Sequence, residues 1–416
     1  MMTWLKLATR NLFRNGRRSL FTVMAIGLGF AAVNALGGFT SYIFTNLEDS
    51  YIHIQGNGHL SIFKKGFLDE GKLDPTRYLL NEQDVGAIRE VLQQHPEIVV
   101  ATPELNISGL VSNGEVSTIF LASGRIPDDV ALIRSRSRTK VGRMKLFDGE
   151  PLANDKINGV GMSKGLADQL RFGPGDTVVV MAPTVDGQIN ALDGQLRQTF
   201  NSPVEALEDK LMLVTLEFAQ SLYDTTSVDR INVLLNDGLL TEPMRTTLGR
   251  ELAARGLNVE IKTWNELSTF YTKVKDMFDV IFLFAFLIVF TIVVMSVINT
   301  VGMAIMERTR EIGTLRALGV KRRGIVGLFA VESMLLGLIG SLVGVILTVI
   351  VWTVIFTVEP TWVPPQITRR IPLEVYLVPR EMFWSMCALL LLSLLAASFP
   401  ARKAARMEIV GALGHV

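Results

Sequence analysis

From Leu20 to Phe44 the chain is apolar apart from a few small or polar residues, over about 25 positions, enough to cross a hydrocarbon core with some tilt. The run is longer than a signal-peptide h-region and lacks an A-x-A cleavage site, so 20–45 reads as a first span. Gly27, Gly29, Gly37 and Gly38 would let another helix approach it, and Asn34 is expected to face protein. Ahead of it, Trp4, Ala8 and Leu12 recur every four residues, and Lys6, Arg10 and Arg14 do so on another face. That spacing predicts an amphipathic helix over 1–19 lying in the membrane interface. Three more apolar runs follow. Val280–Ile305 is the second span, and the polar residues before it (Glu266, Lys273, Lys275, Asp276) predict a helical stalk, so 265–306 reads as one stalk and span. The third covers 325–358 and the fourth 382–400, closed by Pro400. Between the last two, 359–381 is a proline-rich connector, and 401–416 is a tail.

Residues 46–264 have a different rhythm. Short β-rich or alternating runs occur at His59–Phe63, Glu115–Ala122, Thr177–Ala182, Leu211–Val214 and Arg230–Leu235. Helical patterns lie between them at Glu82–Gln94 with Asn81 as N-cap, at Ser163–Leu170 and at Glu242–Arg255 with Pro243 in its first turn. The interleaving predicts an α+β domain, broken near Lys145–Asn158. Ala182–Phe200, polar and carrying Gly187 and Gly194, reads as a long hairpin or protruding loop. The fold class expected is a membrane protein with four transmembrane α-helices and a large extracytoplasmic α+β domain between helices 1 and 2.

Composition agrees with a membrane part plus a soluble part: 416 residues, 49% hydrophobic, mean hydropathy +0.35. A net charge of +1 carries no field that would attract nucleic acid. The cations cluster instead at 1–19, 306–324 and 400–406, whereas the connector balances arginines against glutamates. The positive-inside rule then puts both termini and the 306–324 loop in the cytoplasm and the large domain outside it. Cys387 is the single cysteine, so no internal disulfide or cysteine metal site can form. His53, His59, His95 and His415 make no HExxH set, and no GxxxxGK[ST] phosphate loop occurs. The spans carry no carboxylate pair or histidine relay, and Glu332, about two turns from Lys321–Arg323, is expected to snorkel or pair near the cytoplasmic interface.

The segment 307–320 predicts a short cytoplasmic helix. Ile312, Leu315 and Leu318 share one face, Glu307, Arg308, Arg310, Glu311 and Arg316 occupy much of the rest, and Gly319 is placed to end it. Nothing in the sequence obviously covers the apolar face, so the expectation is a docking site for a soluble partner. Beyond it Gly337, Gly340 and Gly344, spaced by three and four, predict a close-packing face on the third span.

Glu307-Arg308, Arg310-Glu311-Ile312-Gly313, Leu315-Arg316-Ala317-Leu318-Gly319, Glu332-Ser333 and the following glycines resemble the signature of the FtsX-like permease domain of MacB-type ABC transporters. Pro400-Ala401-Arg402, Ala404-Ala405 and Ala412-Leu413 resemble that family's C-terminal motif, although its usual proline before the final Ala-Leu is missing. The layout is closest to lipoprotein-release permeases of the LolC/LolE type, whose external domain opens with a strand similar to Gly58–Gly66. The resemblance implies a multi-pass protein of the bacterial inner membrane, without catalytic residues or cofactor of its own. It implies two copies of an ABC ATPase subunit, holding ATP and Mg and receiving the 307–318 helix in a surface cleft. It also implies a second permease chain, identical or paralogous, and movement of the external domains driven by ATP hydrolysis. Lipoprotein release or related export from the outer leaflet is the first functional expectation. Efflux of peptides, macrolides or siderophores with a periplasmic adaptor is the second, and non-transporting regulation of cell-wall enzymes the third. In one lipoprotein-release permease the place of Ala182–Phe200 carries a hook for a carrier protein, which makes Asp186, Gly187, Gln188, Asn190, Asp193 and Gly194 a candidate partner loop.

Overall fold

In the computed structural model, which describes residues 10, 16–71, 73–202, 205–363 and 370–408, the longer helices are α1 (Gly16–Asp49), α2 (Glu82–Leu92), α3 (Pro127–Ser135), α4 (Lys164–Gln169), α5 (Leu216–Tyr223), α6 (Thr241–Ala254), α7 (Thr269–Glu307), α8 (Thr309–Ala317), α9 (Arg322–Val358) and α10 (Pro379–Ala405). Ten strands form one sheet: β1 (Leu60–Lys64), β2 (Ile98–Ser112), β3 (Ser117–Arg125), β4 (Phe147–Gly149), β5 (Gly159–Ser163), β6 (Thr177–Pro183), β7 (Ile189–Phe200), β8 (Leu211–Thr215), β9 (Arg230–Leu235) and β10 (Val259–Thr263). The chain divides into a helical unit, Met1–Ile43, Val274–Pro360 and Leu373–Val416, and an α+β unit, Phe44–Lys273 with Thr361–Pro372.

Within the helical unit, α1, α7, α9 and α10 are long and apolar enough to cross a membrane. At about 1.5 Å per residue, the 39 residues of α7 and the 37 of α9 exceed a ~30 Å hydrocarbon core by several turns. The inner faces pack Ile26, Val297, Val301, Phe329, Ala397 and Ala401 together. Three expected boundaries shift. The first helix does not stop at 45: α1 runs to Asp49 and tightens into a π-helical turn, Ser50–Ile54. The stalk is not one helix from 265. A capping box between Thr263 and Glu266 starts the single turn Trp264–Leu267, and Ser268, at ψ 79°, breaks it before α7 begins. Pro400 does not close the last span, because α10 continues through it to Ala405. Ala396, Ala397, Ala401, Ala404 and Ala405 are all buried, and close packing of small residues holds a membrane helix together across a proline. The interfacial helix expected over 1–19 falls mostly, and the end of the 401–416 tail wholly, outside the described residues.

In the α+β unit, β6 pairs with both β2 and β7, which closes β2–β3–β8–β5–β7–β6 into a ring. Leu105, Phe120, Val160, Val180, Leu196 and Val214 fill it from alternate strand positions, with Phe218 and Leu222 of α5 and Leu166 of α4 beside them. The other half of the sheet, β10–β1–β9–β2, is covered by α2 and α6 through Ile88, Val91, Leu248 and Leu252. The 15-residue β2 belongs to both halves. Asn81 caps α2 as expected, in a capping box with Asp84.

Where the halves meet, a charged cluster is buried. The Glu104 carboxylate, 0% exposed, accepts from two Arg230 nitrogens (Nη2 2.7 Å, Nε 3.1 Å), from Ser123 Oγ at 2.7 Å and from Asn232 Nδ2 at 2.5 Å, with Arg125 Nη2 at 2.8 Å. Arg125 also donates to the Gln55 carbonyl and to Asn57 Oδ1, and Arg134 Nε donates to the Ile54 carbonyl. The carbonyls at the end of the π-helical turn are thereby satisfied by guanidinium groups carried on β3 and α3. Burial alone would push Glu104 up, but the two arginines and their hydrogen bonds hold its carboxyl well below the usual range. Neighbouring Asp229 goes the other way. Burial pushes it up to about 6, although the Asn106 backbone N–H and Nδ2 donate to it at 2.6 and 2.9 Å.

The two carboxylates therefore make opposite contributions to stability. Glu104 stabilises the fold above the ordinary carboxylate range and loses that effect as pH falls through its depressed folded value. Asp229 has a folded value raised above its unfolded one, so its contribution is present at low pH and lost as pH rises through about 6. Asp229→Asn, which can accept the same two hydrogen bonds, is expected to stabilise the chain at pH 7.5 by on the order of 2 kcal/mol and to change little at pH 4. Thermal unfolding of the full chain in detergent at both pH values checks this, and an equal shift at both would refute the assignment.

Candidate functional site

The short helix α8 is held to the rest of the helical unit from several directions. Ile305 packs in the core just before it, Arg308 sits in the non-helical link (φ −113°) between α7 and α8, and Gly319, at φ +92°, ends it as expected. Ile312 is 4% exposed and Leu315 half-buried, both packed among the apolar side chains of this unit. This corrects the expectation that the 312–315–318 face is uncovered: the chain's own helices cover its first two members, because α8 folds back on the bundle. Leu318 alone projects, at 78% exposed.

The charged residues separate in the same way. Glu307 pairs with Arg18 of α1 at 3.0 Å. The Arg308 side chain turns inward: its Nη1 lies 2.8 Å from Glu332 Oε1 of α9, and both side chains are 9% exposed. Glu332 is thus paired as expected, but with Arg308 rather than with the Lys321–Arg323 cluster. Arg316 donates to the Ala405 carbonyl in the last turn of α10. What remains on the outer surface is Arg310, Glu311, Thr314, Ala317 and Leu318. These lie at i, i+1, i+4, i+7 and i+8, one stripe of a 3.6-residue helix. Thr314 and Ala317 belong to neither the apolar nor the charged face read from the sequence, Ala317 standing there only within the signature. The stripe is legible in the same spacing once the opposite face is known to be the buried one.

The glycine face packs as a seam within the chain. A Cβ on Gly340 would lie 2.7 Å from Ile26 Cβ of α1, one on Gly344 2.6 Å from Phe30 Cβ, and one on Gly337 2.8 Å from Ser393 Oγ of α10. On the α1 side Gly27 answers, since its Cβ would meet the Gly340 carbonyl at 3.1 Å. Thr22 and Thr300 hydroxyls, 2.5 Å apart, add a buried polar tie between α1 and α7. Ser385 donates to Asn34 Oδ1 at 3.0 Å, so Asn34 faces protein as expected.

The 182–200 segment is a hairpin, not a protruding loop. β6 and β7 pair from Thr177↔Gln195 to Pro183↔Ile189, which leaves 184–188 as the turn. Asp186, Gly187 and Gln188 lie in that turn, whereas Asn190, Asp193 and Gly194 are ladder positions. Asn190 Nδ2 donates to the Ser221 and Leu222 carbonyls at the end of α5, and a Cβ on Gly194 would lie 2.6 Å from Val160. Alternating polar side chains had left a loop as the alternative to the hairpin here. It sits on the wall of the ring, where one face is solvated.

Comparison with known proteins gives these features a family. Residues 19–250 match the MacB-like periplasmic core domain and residues 283–409 the FtsX-like permease C-terminal domain. A macrolide export ATP-binding/permease protein MacB of Salmonella paratyphi A is 25% identical over 362 residues, covering 82% of this chain and 50% of the relative. One from Escherichia coli K12 is 23% identical over 427 residues, covering 99% and 60%. The chain thus spans about half the length of the curated relatives it matches. Among solved structures, the periplasmic region of MacB from Actinobacillus actinomycetemcomitans is 13% identical, covering 51% of this chain and 91% of that one, with a TM-score of 0.36. With one domain model matching more than half of the 416 residues and a second matching the three later spans, the chain belongs to the MacB-type, FtsX-like family of ABC transporter permeases.

Proposed function

We propose that the chain is the membrane subunit through which ATP hydrolysis on a separate ATPase subunit moves an extracytoplasmic domain. The observation that carries this reading is the Arg310–Glu311–Thr314–Ala317–Leu318 stripe, an exposed face on a helix whose other face is built into the membrane core. A lever for a soluble partner needs that combination: an accessible surface, and a rigid attachment behind it. In this reading ATP and Mg are held by the partner ATPase, and the 416 residues given carry no phosphate loop. The orientation has both termini and α8 in the cytoplasm and the α+β unit in the periplasm of a bacterial inner membrane, in keeping with the Arg and Lys beside the spans. Two ATPases and a second permease chain complete the transporter. The cargo is taken from the outer leaflet, lipoprotein release being the first reading. Macrolide or peptide efflux with a periplasmic adaptor is the second, favoured by the names of the relatives.

Co-purification of a co-expressed ATPase with variants of α8 tests the proposal. Burying a projecting leucine in a partner groove contributes on the order of 2 kcal/mol, so Leu318→Asp is expected to weaken association at least about 30-fold while the permease folds normally. Arg310→Glu is expected to be milder, since exposed charge pairs are worth about 0–1 kcal/mol. Leu315→Asp is expected instead to destabilise the permease itself. Normal ATPase retention by a Leu318→Asp/Arg310→Glu double variant would remove α8 as the coupling surface.

A further inference from the structure

The attachment behind α8 centres on one buried ion pair. The link between α7 and α8 is a single non-helical residue, Arg308, and an unsupported link of that kind would act as a hinge. Its guanidinium, 9% exposed, reaches Glu332, equally buried, ten positions beyond the first residue of α9. Two other polar contacts flank it: Glu307, the last residue of α7, meets Arg18 where both are partly exposed, and Arg316 of α8 meets a backbone carbonyl, beside the apolar packing of Ile312 and Leu315. A buried charge pair is weak evidence for stability, because apolar residues of similar volume often serve as well. What it supplies that apolar packing does not is direction, since a guanidinium–carboxylate contact fixes angle as well as distance.

We propose that Arg308 and Glu332 are positioning residues that lock the α7–α8 link, so that a displacement of α8 is handed to α9 and not absorbed by bending at residue 308. This rests on α8 being the coupling element, and it assigns the pair a mechanical role distinct from the partner-facing stripe. The two roles separate experimentally, because the lock exists in the permease alone.

Spin labels on Thr314→Cys of α8 and Ile346→Cys of α9, both exposed positions, report the angle between the two helices in nanodiscs. The native Cys387 is replaced by serine, and no ATPase is present. The unaltered pair is expected to give one narrow distance distribution. Glu332→Met is expected to lower the thermal midpoint and to broaden the distribution at least twofold. The decisive variant is Arg308→Met/Glu332→Met, in which no charge is left unpaired. Its midpoint is expected to return towards that of the parent while its distribution stays broad. A purely structural pair would restore both. Parent-like width in the double-methionine variant overturns the proposal whatever the ATPase experiment shows. Should that variant not insert, Glu332→Gln carries the test: a broadened distribution supports the lock, and parent-like width overturns it.

Discussion

Glu104→Ala is expected to lower the stability of the α+β unit by about 3–5 kcal/mol, because it leaves the Arg125 and Arg230 guanidinium groups without their shared counter-ion. Five polar contacts converge on this carboxylate at 2.5–3.1 Å, its two oxygens gripped by Nε and Nη2 of Arg230. Arg125 holds the Gln55 carbonyl and Asn57 at the same time, so its release would loosen the turn that ends the first long helix. Against a total stability of ~5–15 kcal/mol this is a large fraction, equivalent to roughly 10 °C in thermal midpoint for a domain of this size. Glu104→Gln is expected to fall in between, since its amide oxygen still accepts while its NH2 opposes the arginines. The measurement is thermal unfolding of the full chain at pH 7.5, with hydrogen exchange at Gln55–Gly58 as the local readout. A loss below about 1 kcal/mol for Glu104→Ala would show that the cluster is solvated and that its geometry is not what holds the two half-sheets together.

The second large effect is expected in the helical unit. Gly340→Ala already places a methyl 2.7 Å from Ile26 Cβ and 3.3 Å from the Val23 carbonyl, positions that no rotamer change can shift, so the α1 and α9 backbones must part. Overpacking of this kind costs about 1–3 kcal/mol, and Gly340→Leu, with three more carbons, is expected to part the two helices and abolish monodisperse purification. Gly337→Ala should be tolerated better, since its nearest neighbour is the rotatable Ser393 hydroxyl. If the glycine serves packing, the midpoint lost through Gly340→Ala is largely recovered, relative to Ile26→Gly alone, when Ile26→Gly removes the Cβ and Cγ2 that the methyl would meet. If it serves helix flexibility, the second substitution recovers nothing, and that result would discard the seam.

The order of elements, four spans with a long α+β insertion after the first, was legible because each rests on local pattern: about 20 apolar residues for a span, alternation for a strand. Asn81 as a cap, Gly319 as a helix stop and the 337–340–344 glycine face were legible for the same reason, since each depends on neighbours a few residues away. Strand β2 was not legible. Pro103, Glu104, Asn106 and Gly109 interrupt its alternation, and they are tolerated because distant residues answer them: Arg125 and Arg230 for Glu104, Asp229 for Asn106, the close approach of β6 for Gly109. Strand β7 hid among polar residues whose partners lie on β5 and β6. In α8 the sequence determined that one face is apolar and the other charged, and a permease signature marked the helix as functional. Which face meets the partner is a tertiary matter. It was decided by the bundle's own core, which takes Ile312 and Leu315, and by Glu332, 24 residues away, which draws Arg308 inward. Burial of an apolar face is non-specific, so the nearest large apolar surface claims it first, and here that surface is the rest of the same chain.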